Sequence, residues 1–151
     1  MIDAKYIGTE LPPHTVEVEK GRLRMFAKAI GETDAVYVDE AAARAAGYRS
    51  LPVPPTFLFC LDMETPNPFG VYEQMGVDLR RVLHGEQGFT YHQSACAGDR
   101  LTFHSRIADI YAKKDGALEF IVKETVVTNQ DGVKVADLKS VMVARGEART
   151  R

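Results

Sequence analysis

The sequence predicts an α+β domain in which a curved antiparallel sheet is wrapped on one buried helix. Three observations predict it. In the first half, apolar residues recur at helical spacing between Gly and Pro breaks. From Leu83 onward the chain changes to long runs rich in Val, Ile, Phe, Tyr and Thr, divided by turn signals. Between these halves, a strongly apolar segment follows the pair Pro54-Pro55. Strands this long favour an antiparallel, curved sheet, and helices on one side of it make a layered α+β architecture.

Each element has its own signal. Thr15-Val16-Glu17-Val18-Glu19 alternates and predicts a short strand. Leu23, Phe26, Ala27 and Ile30 recur at i, i+3, i+4 and i+7, which makes one apolar helical face, and Gly31 stops that helix. Asp39 caps a short helix from Glu40 to Ala46, closed by Gly47. Proline is tolerated in the first turn of a helix, so Pro54-Pro55 predicts a helix start, with Phe57, Leu58 and Leu61 on its buried face and an end near Met63. Thr65 to Asp78 is rich in Pro, Gly and Asn and reads as a loop. Four strands follow, Leu83–His92, Leu101–Tyr111, Leu118–Asn129 and Val135–Arg145. The turns between them are Ala97-Gly98-Asp99, Lys113-Lys114-Asp115-Gly116 and Gln130-Asp131-Gly132.

Composition narrows the class. The 151 residues suit one domain, 1–151, with no internal repeat or linker. A hydrophobic share of 45% and a charged share of 26% are ordinary for a globular protein. The formal net charge of -2 gives no reason to expect nucleic acid or a membrane surface as partner. No apolar run approaches the length of a bilayer span, and the start does not read as a signal peptide. Cys60 and Cys96 lie outside any C-x-x-C motif and suit the core of a protein of the reducing cytoplasm. His84 and His92 are eight positions apart with no Cys beside them, so no metal site is expected, and no cofactor either.

Three segments carry a family resemblance. They are Phe26-Ala27-Lys28-Ala29-Ile30-Gly31-Glu32-Thr33-Asp34-Ala35-Val36-Tyr37; Ala42 through Leu51-Pro52-Val53-Pro54-Pro55-Thr56-Phe57; and Leu83-His84-Gly85-Glu86-Gln87 followed by Ala97-Gly98-Asp99-Arg100-Leu101. In order and spacing the chain resembles, over nearly its whole length, the N-terminal, FAS1-like domain of MaoC-type dehydratases. The resemblance implies the hot-dog fold. It also implies (R)-specific hydration of 2-enoyl thioesters, or the reverse dehydration of 3-hydroxyacyl thioesters, carried by coenzyme A or an acyl carrier protein. Such chemistry needs a carboxylate and an imidazole flanking one water, and a backbone N–H aimed at the thioester oxygen.

Active members of the family share a G-D-x-N-P-x-H motif, and here each chemical position is changed. Glu32 stands in the place of the catalytic Asp and Tyr37 in that of the His, while Asp34 and Ala35 replace the Asn and Pro. Tyr37 is a poor substitute, because its reference pKa of about 10 lies far above that of His. The oxyanion glycine falls at Pro55, which has no N–H to donate. Thr56 offers the next one. The candidate catalytic residues are therefore Glu32, Tyr37 and His84, and the candidate substrate-binding residues are Pro55, Thr56, Phe57 and Gly85. His84 and Glu86 alternate onto one strand face with Thr90 and His92; His84 reads either as a proton donor or as a structural histidine beside a subunit interface. Arg44, Arg49, Arg80 and Arg81 suit coenzyme A phosphates or plain solvation.

Four functions follow in order. The first is the motif-poor, acyl-binding half of a hydratase or dehydratase, working as a hydro-lyase subunit with a partner that carries the Asp and His. Two-half dehydratases of the family pair one such hot-dog with a catalytic one, and this chain resembles the motif-poor half alone. The second is a self-sufficient homo-oligomeric hydratase using Glu32 with His84 or Tyr37. The third is an acyl-CoA thioesterase, which needs a carboxylate on the central helix; Asp62 and Glu64 lie near its end rather than its start. The fourth is a non-enzymatic acyl-thioester binding module. A homodimer or heterodimer is expected, because the open edge of such a sheet must be covered.

Overall fold

The computed structural model describes residues 1–146. The expected domain ran to Arg151, so residues 147–151 lie outside the described residues. The strands are β1 (His14–Glu17), β2 (Val82–Tyr91), β3 (Arg100–Lys113), β4 (Leu118–Thr128) and β5 (Lys134–Arg145). They form one five-stranded antiparallel sheet in the order β1-β3-β4-β5-β2. The helices are α1 (Lys20–Ala29), α2 (Glu40–Ala45), α3 (Phe57–Asp62) and α4 (Gly70–Gln74). The sheet wraps α3, and this is the expected hot-dog arrangement. No helix among the described residues is long and apolar enough to cross a membrane.

Local chemistry explains the helix ends. Asp39 accepts a hydrogen bond from the Ala41 N–H at 2.8 Å and caps α2. Gly31 closes the region after α1 with φ +72°, a conformation that glycine adopts without a Cβ penalty. Leu23 and Ala27 are buried as the spacing predicts, but Ile30 is 53% exposed because the helix ends one residue before it.

Two expectations change. α3 begins at Phe57, not at Pro54. A proline disfavours the helical conformation in the residue before it, so Pro54 cannot open the helix ahead of Pro55. Thr56 then turns the chain into α3 with φ 75°, in the left-handed region that a β-branched residue rarely adopts. The segment read as a loop contains α4, whose Val71, Tyr72 and neighbouring Met75 are buried.

The core lies between sheet and helices in two clusters. The larger packs Phe57, Leu58 and Leu61 of α3 against Leu101, Phe103, Val127 and Leu138. The smaller packs Val71, Tyr72 and Met75 against Ile107 and Ile121. A buried ion pair also ties the helix to the sheet: Lys123 Nζ of β4 donates to Asp62 Oδ2 of α3 at 2.7 Å.

Candidate active site

A pocket of about 300 Å³ opens beside the start of α3. Its apolar lining includes Pro52, Val53, Pro55 and Leu58, with Ala95 and Val135 from the sheet side. Tyr37, Tyr48, Tyr91, His92, Gln93 and Ser94 supply its polar groups. Of the seven candidate site residues, Tyr37 and Pro55 line this pocket.

Each of the others has a definite environment. Glu32 Oε1 accepts hydrogen bonds from the Thr33 and Asp34 N–H groups, both at 2.9 Å, so the carboxylate is turned onto its own loop. Burial pushes the Tyr37 hydroxyl above its ordinary pKa, and the negative charge of Glu32 adds to the rise. Pro55 has no N–H. The Thr56 N–H donates to the Tyr91 hydroxyl at 3.0 Å, and the Phe57 N–H donates to the Pro54 carbonyl at 3.1 Å. Phe57 is a core residue, 4% exposed, tilted against Phe26 at 4.7 Å.

His84 and Gly85 sit on β2 away from the pocket lining. The His84 ring packs on Phe59 of α3 at 5.0 Å, and its Nε2 hydrogen-bonds with the Glu86 carbonyl at 3.0 Å. Gly85 is the extra residue of a β-bulge between His84 and Glu86. A Cβ there would lie 2.7 Å from Val143 Cγ2, so the close approach requires glycine. The bulge also corrects the expected alternation. Before it His84 faces α3; after it Phe89 and Tyr91 do, and Thr90 pairs with Asp137 on the opposite face.

The rim holds a feature that sequence reasoning missed. His92 Nε2 lies 2.6 Å from Asp137 Oδ2, and Lys134 Nζ lies 2.9 Å from Asp137 Oδ1. These hydrogen bonds, His92 first, hold the Asp137 carboxyl below the usual carboxylate range. A positioned carboxylate orients an imidazole toward one tautomer. The only signal in the sequence was the strand register, which the bulge obscures.

The remaining charged candidates are engaged within the chain. Arg49 donates to both Asp99 oxygens at 2.9 Å, and Arg80 pairs with Asp78 at 2.9 Å. Arg44 lies 3.6 Å from Glu40, and Arg81 donates to the Gly146 carbonyl. Asp62 is held by Lys123, and Glu64 by Arg22.

A five-stranded sheet curved on a short helix, with a part-polar pocket where the helix starts, is the hot-dog architecture. Solved structures share this fold. A MaoC-like dehydratase matches with a TM-score of 0.83 at 24% identity, over 94% of this chain and 43% of that one. The HadBC (3R-hydroxyacyl-ACP dehydratase) complex of Mycobacterium tuberculosis matches with a TM-score of 0.79 at 24% identity, over 92% and 97%. The ChsH1-ChsH2 complex of the same organism matches with a TM-score of 0.75 at 23% identity, over 93% and 86%. The model of the FAS1-like, dehydratase domain region matches residues 5–138, and the chain belongs to that family. A UPF0336 protein of Saccharopolyspora erythraea is 37% identical over 148 residues, 97% of this chain and 94% of that protein. One of Thermobifida fusca is 33% identical over 148 residues, 97% and 96%.

Proposed function

We propose that this chain is the motif-poor, acyl-binding subunit of an (R)-specific enoyl-thioester hydratase or 3-hydroxyacyl-thioester dehydratase. Its ligand is an acyl thioester of coenzyme A or of an acyl carrier protein. The proton transfers come from a motif-bearing hot-dog subunit.

One observation carries the reading. Where the family has its oxyanion donor, this chain has Pro55 without an N–H, and the next two N–H groups are already bonded, to Tyr91 and to Pro54. Stabilising the thioester enolate needs a donor aimed at the oxygen, worth about 10²–10³-fold in rate. Glu32 and Tyr37 support the same reading, one bonded to its own loop and the other held protonated. Losing general acid–base groups costs about a further 10²–10⁴-fold. Two of the structurally similar proteins are complexes of two named subunits, HadBC and ChsH1-ChsH2. Among the described residues β2 is an edge strand, on which such a partner would continue the ladder.

The test is hydration of crotonyl-coenzyme A. The purified chain alone should turn over at or near background. Mixed with a motif-bearing hot-dog subunit it should form a complex and gain activity, and Glu32→Gln in that complex should change little. Rapid turnover by the chain alone, abolished by Glu32→Gln, overturns the reading.

A second reading, a self-sufficient homo-oligomeric hydratase, is favoured by His92. That imidazole is fixed by Asp137 and lines the same pocket as Tyr37. It predicts activity of the chain alone that is lost on His92→Gln. Thioester hydrolysis is disfavoured because Asp62 and Glu64 are each tied to a cation. A binding module without catalysis would bind the thioester and never gain activity from a partner.

A further inference from the structure

The face of the sheet turned away from α3 carries a continuous apolar row. Strand register aligns Tyr111 of β3 with Phe120 of β4, Phe120 with Val143 of β5, and Val143 with Leu83 of β2. These residues alternate with Ile110, Ile121 and Met142, which pack in the smaller core cluster, so the row faces outward. Tyr111 and Phe120 stack with ring centroids 4.8 Å apart, and Leu83 is 57% exposed. Val122 and Val141, the next positions on this side of β4 and β5, are buried beside the row and add no exposed surface to it.

Charge is divided across it. On one side stand Lys113, whose ammonium reaches back over the Phe120 and Tyr111 rings at 5.1 and 5.6 Å from their centres, and Arg145, aligned with Leu118. On the other stand Asp109, aligned with Val122, and Glu86, aligned with Val141. A two-fold axis laid along the apolar row maps each side onto the other. It places Lys113 over the Asp109 of a second copy on the same strand, and Arg145 one strand away from the second copy's Glu86.

We propose that this outer face is the docking surface for a second copy of this chain, packed face to face through the Leu83-Val143-Phe120-Tyr111 row. The pattern is self-complementary, as an isologous interface requires. Two sheets packed this way keep their strands within about 30° of each other, which preserves the row-on-row contact. A foreign partner would need no such division of charge about the row. The interface is separate from the β2 edge, so it is independent of the acyl-thioester reading.

The experiment is sedimentation velocity on the purified chain at micromolar concentration, with charge-swapped variants. Wild type should sediment as an even-numbered oligomer. Lys113→Asp and Asp109→Lys should each weaken association by about tenfold or more, because each opposes like charges across the contact. The double variant should restore it, since the axis pairs position 113 with position 109. Leu83→Glu, at an exposed position, should halve the mass with little change in melting temperature. A monomeric wild type overturns the proposal. So does an oligomer whose mass ignores these variants, or a double variant that fails to recover. Variants that spare self-association but release a different hot-dog subunit would assign the face to that subunit instead, and overturn it too.

Discussion

The backbone N–H of Thr56 donates to the hydroxyl of Tyr91 at 3.0 Å, so the last strand residue of β2 is pinned to the entry of the central helix. The bond fixes the left-handed turn at Thr56 and occupies the donor nearest the pocket. Tyr91→Phe should remove it while keeping the ring that stacks on Phe89. The bond is neutral and solvent-accessible, so the loss should be about 1 kcal/mol or less. A chain of this size should then melt about 2–4 °C lower per kcal/mol, as read by calorimetry. A Tyr91→Phe protein that melts with wild type would show that the Thr56 turn stands without it.

The Asp62–Lys123 pair should behave as a buried ion pair. The side chains are 5% and 13% exposed. Asp62→Ala leaves the ammonium inside the protein without its partner and should cost about 3–5 kcal/mol in urea unfolding. Replacing both, as Asp62→Leu with Lys123→Met, removes the stranded charge and should recover most of that loss. An additive double variant would mean that the pair contributes through packing alone.

Tyr72 gives a pH dependence with a definite sign. Burial, with a smaller push from Asp62, raises its hydroxyl to about 12. An unfolded tyrosine ionises near 10. The folded state therefore holds the proton more tightly, and this contribution is fully present below pH 10. It fades as the pH rises toward 12. Unfolding free energy should fall by about 2–3 kcal/mol across that window, at about 1.4 kcal/mol per pH unit. Tyr72→Phe should be flat over the same range apart from the other tyrosines and the lysines. A variant with the wild-type slope would place the titration elsewhere.

The strands were legible because β-branched and aromatic residues fill them and Gly-containing turns divide them; β3, β4 and β5 fall within a few residues of their predicted limits. α3 was legible from Phe57, Leu58 and Leu61. Its start was not, because a Pro-Pro pair serves an extended approach as readily as a first helical turn. α4 escaped because Val71, Tyr72 and Met75 span barely one turn, too short for periodicity to emerge among Pro, Gly and Asn. In the candidate site, Tyr37 and Pro55 could be placed by motif spacing alone. The His92–Asp137 contact joins residues 45 apart across two strands. Locating it requires the register of β2 on β5, which one inserted residue at Gly85 shifts.

The order of strands in the sheet sets an order in time. β3, β4 and β5 are joined by tight turns and can zip sequentially as local hairpins. β2 precedes all three in the chain, yet among the described residues its one strand neighbour is β5, the last of the five strands in chain order. Its pairing must wait until both intervening strands exist, and contacts of such long reach form late because loop closure is costly. During synthesis β2 therefore waits as an unpaired strand, with Tyr91 not yet pinned to Thr56. In pulsed hydrogen exchange the β3–β4 amides should gain protection first, and those of β2 together with β5 afterwards. The pocket beside α3 would then be the final part of the molecule to take shape.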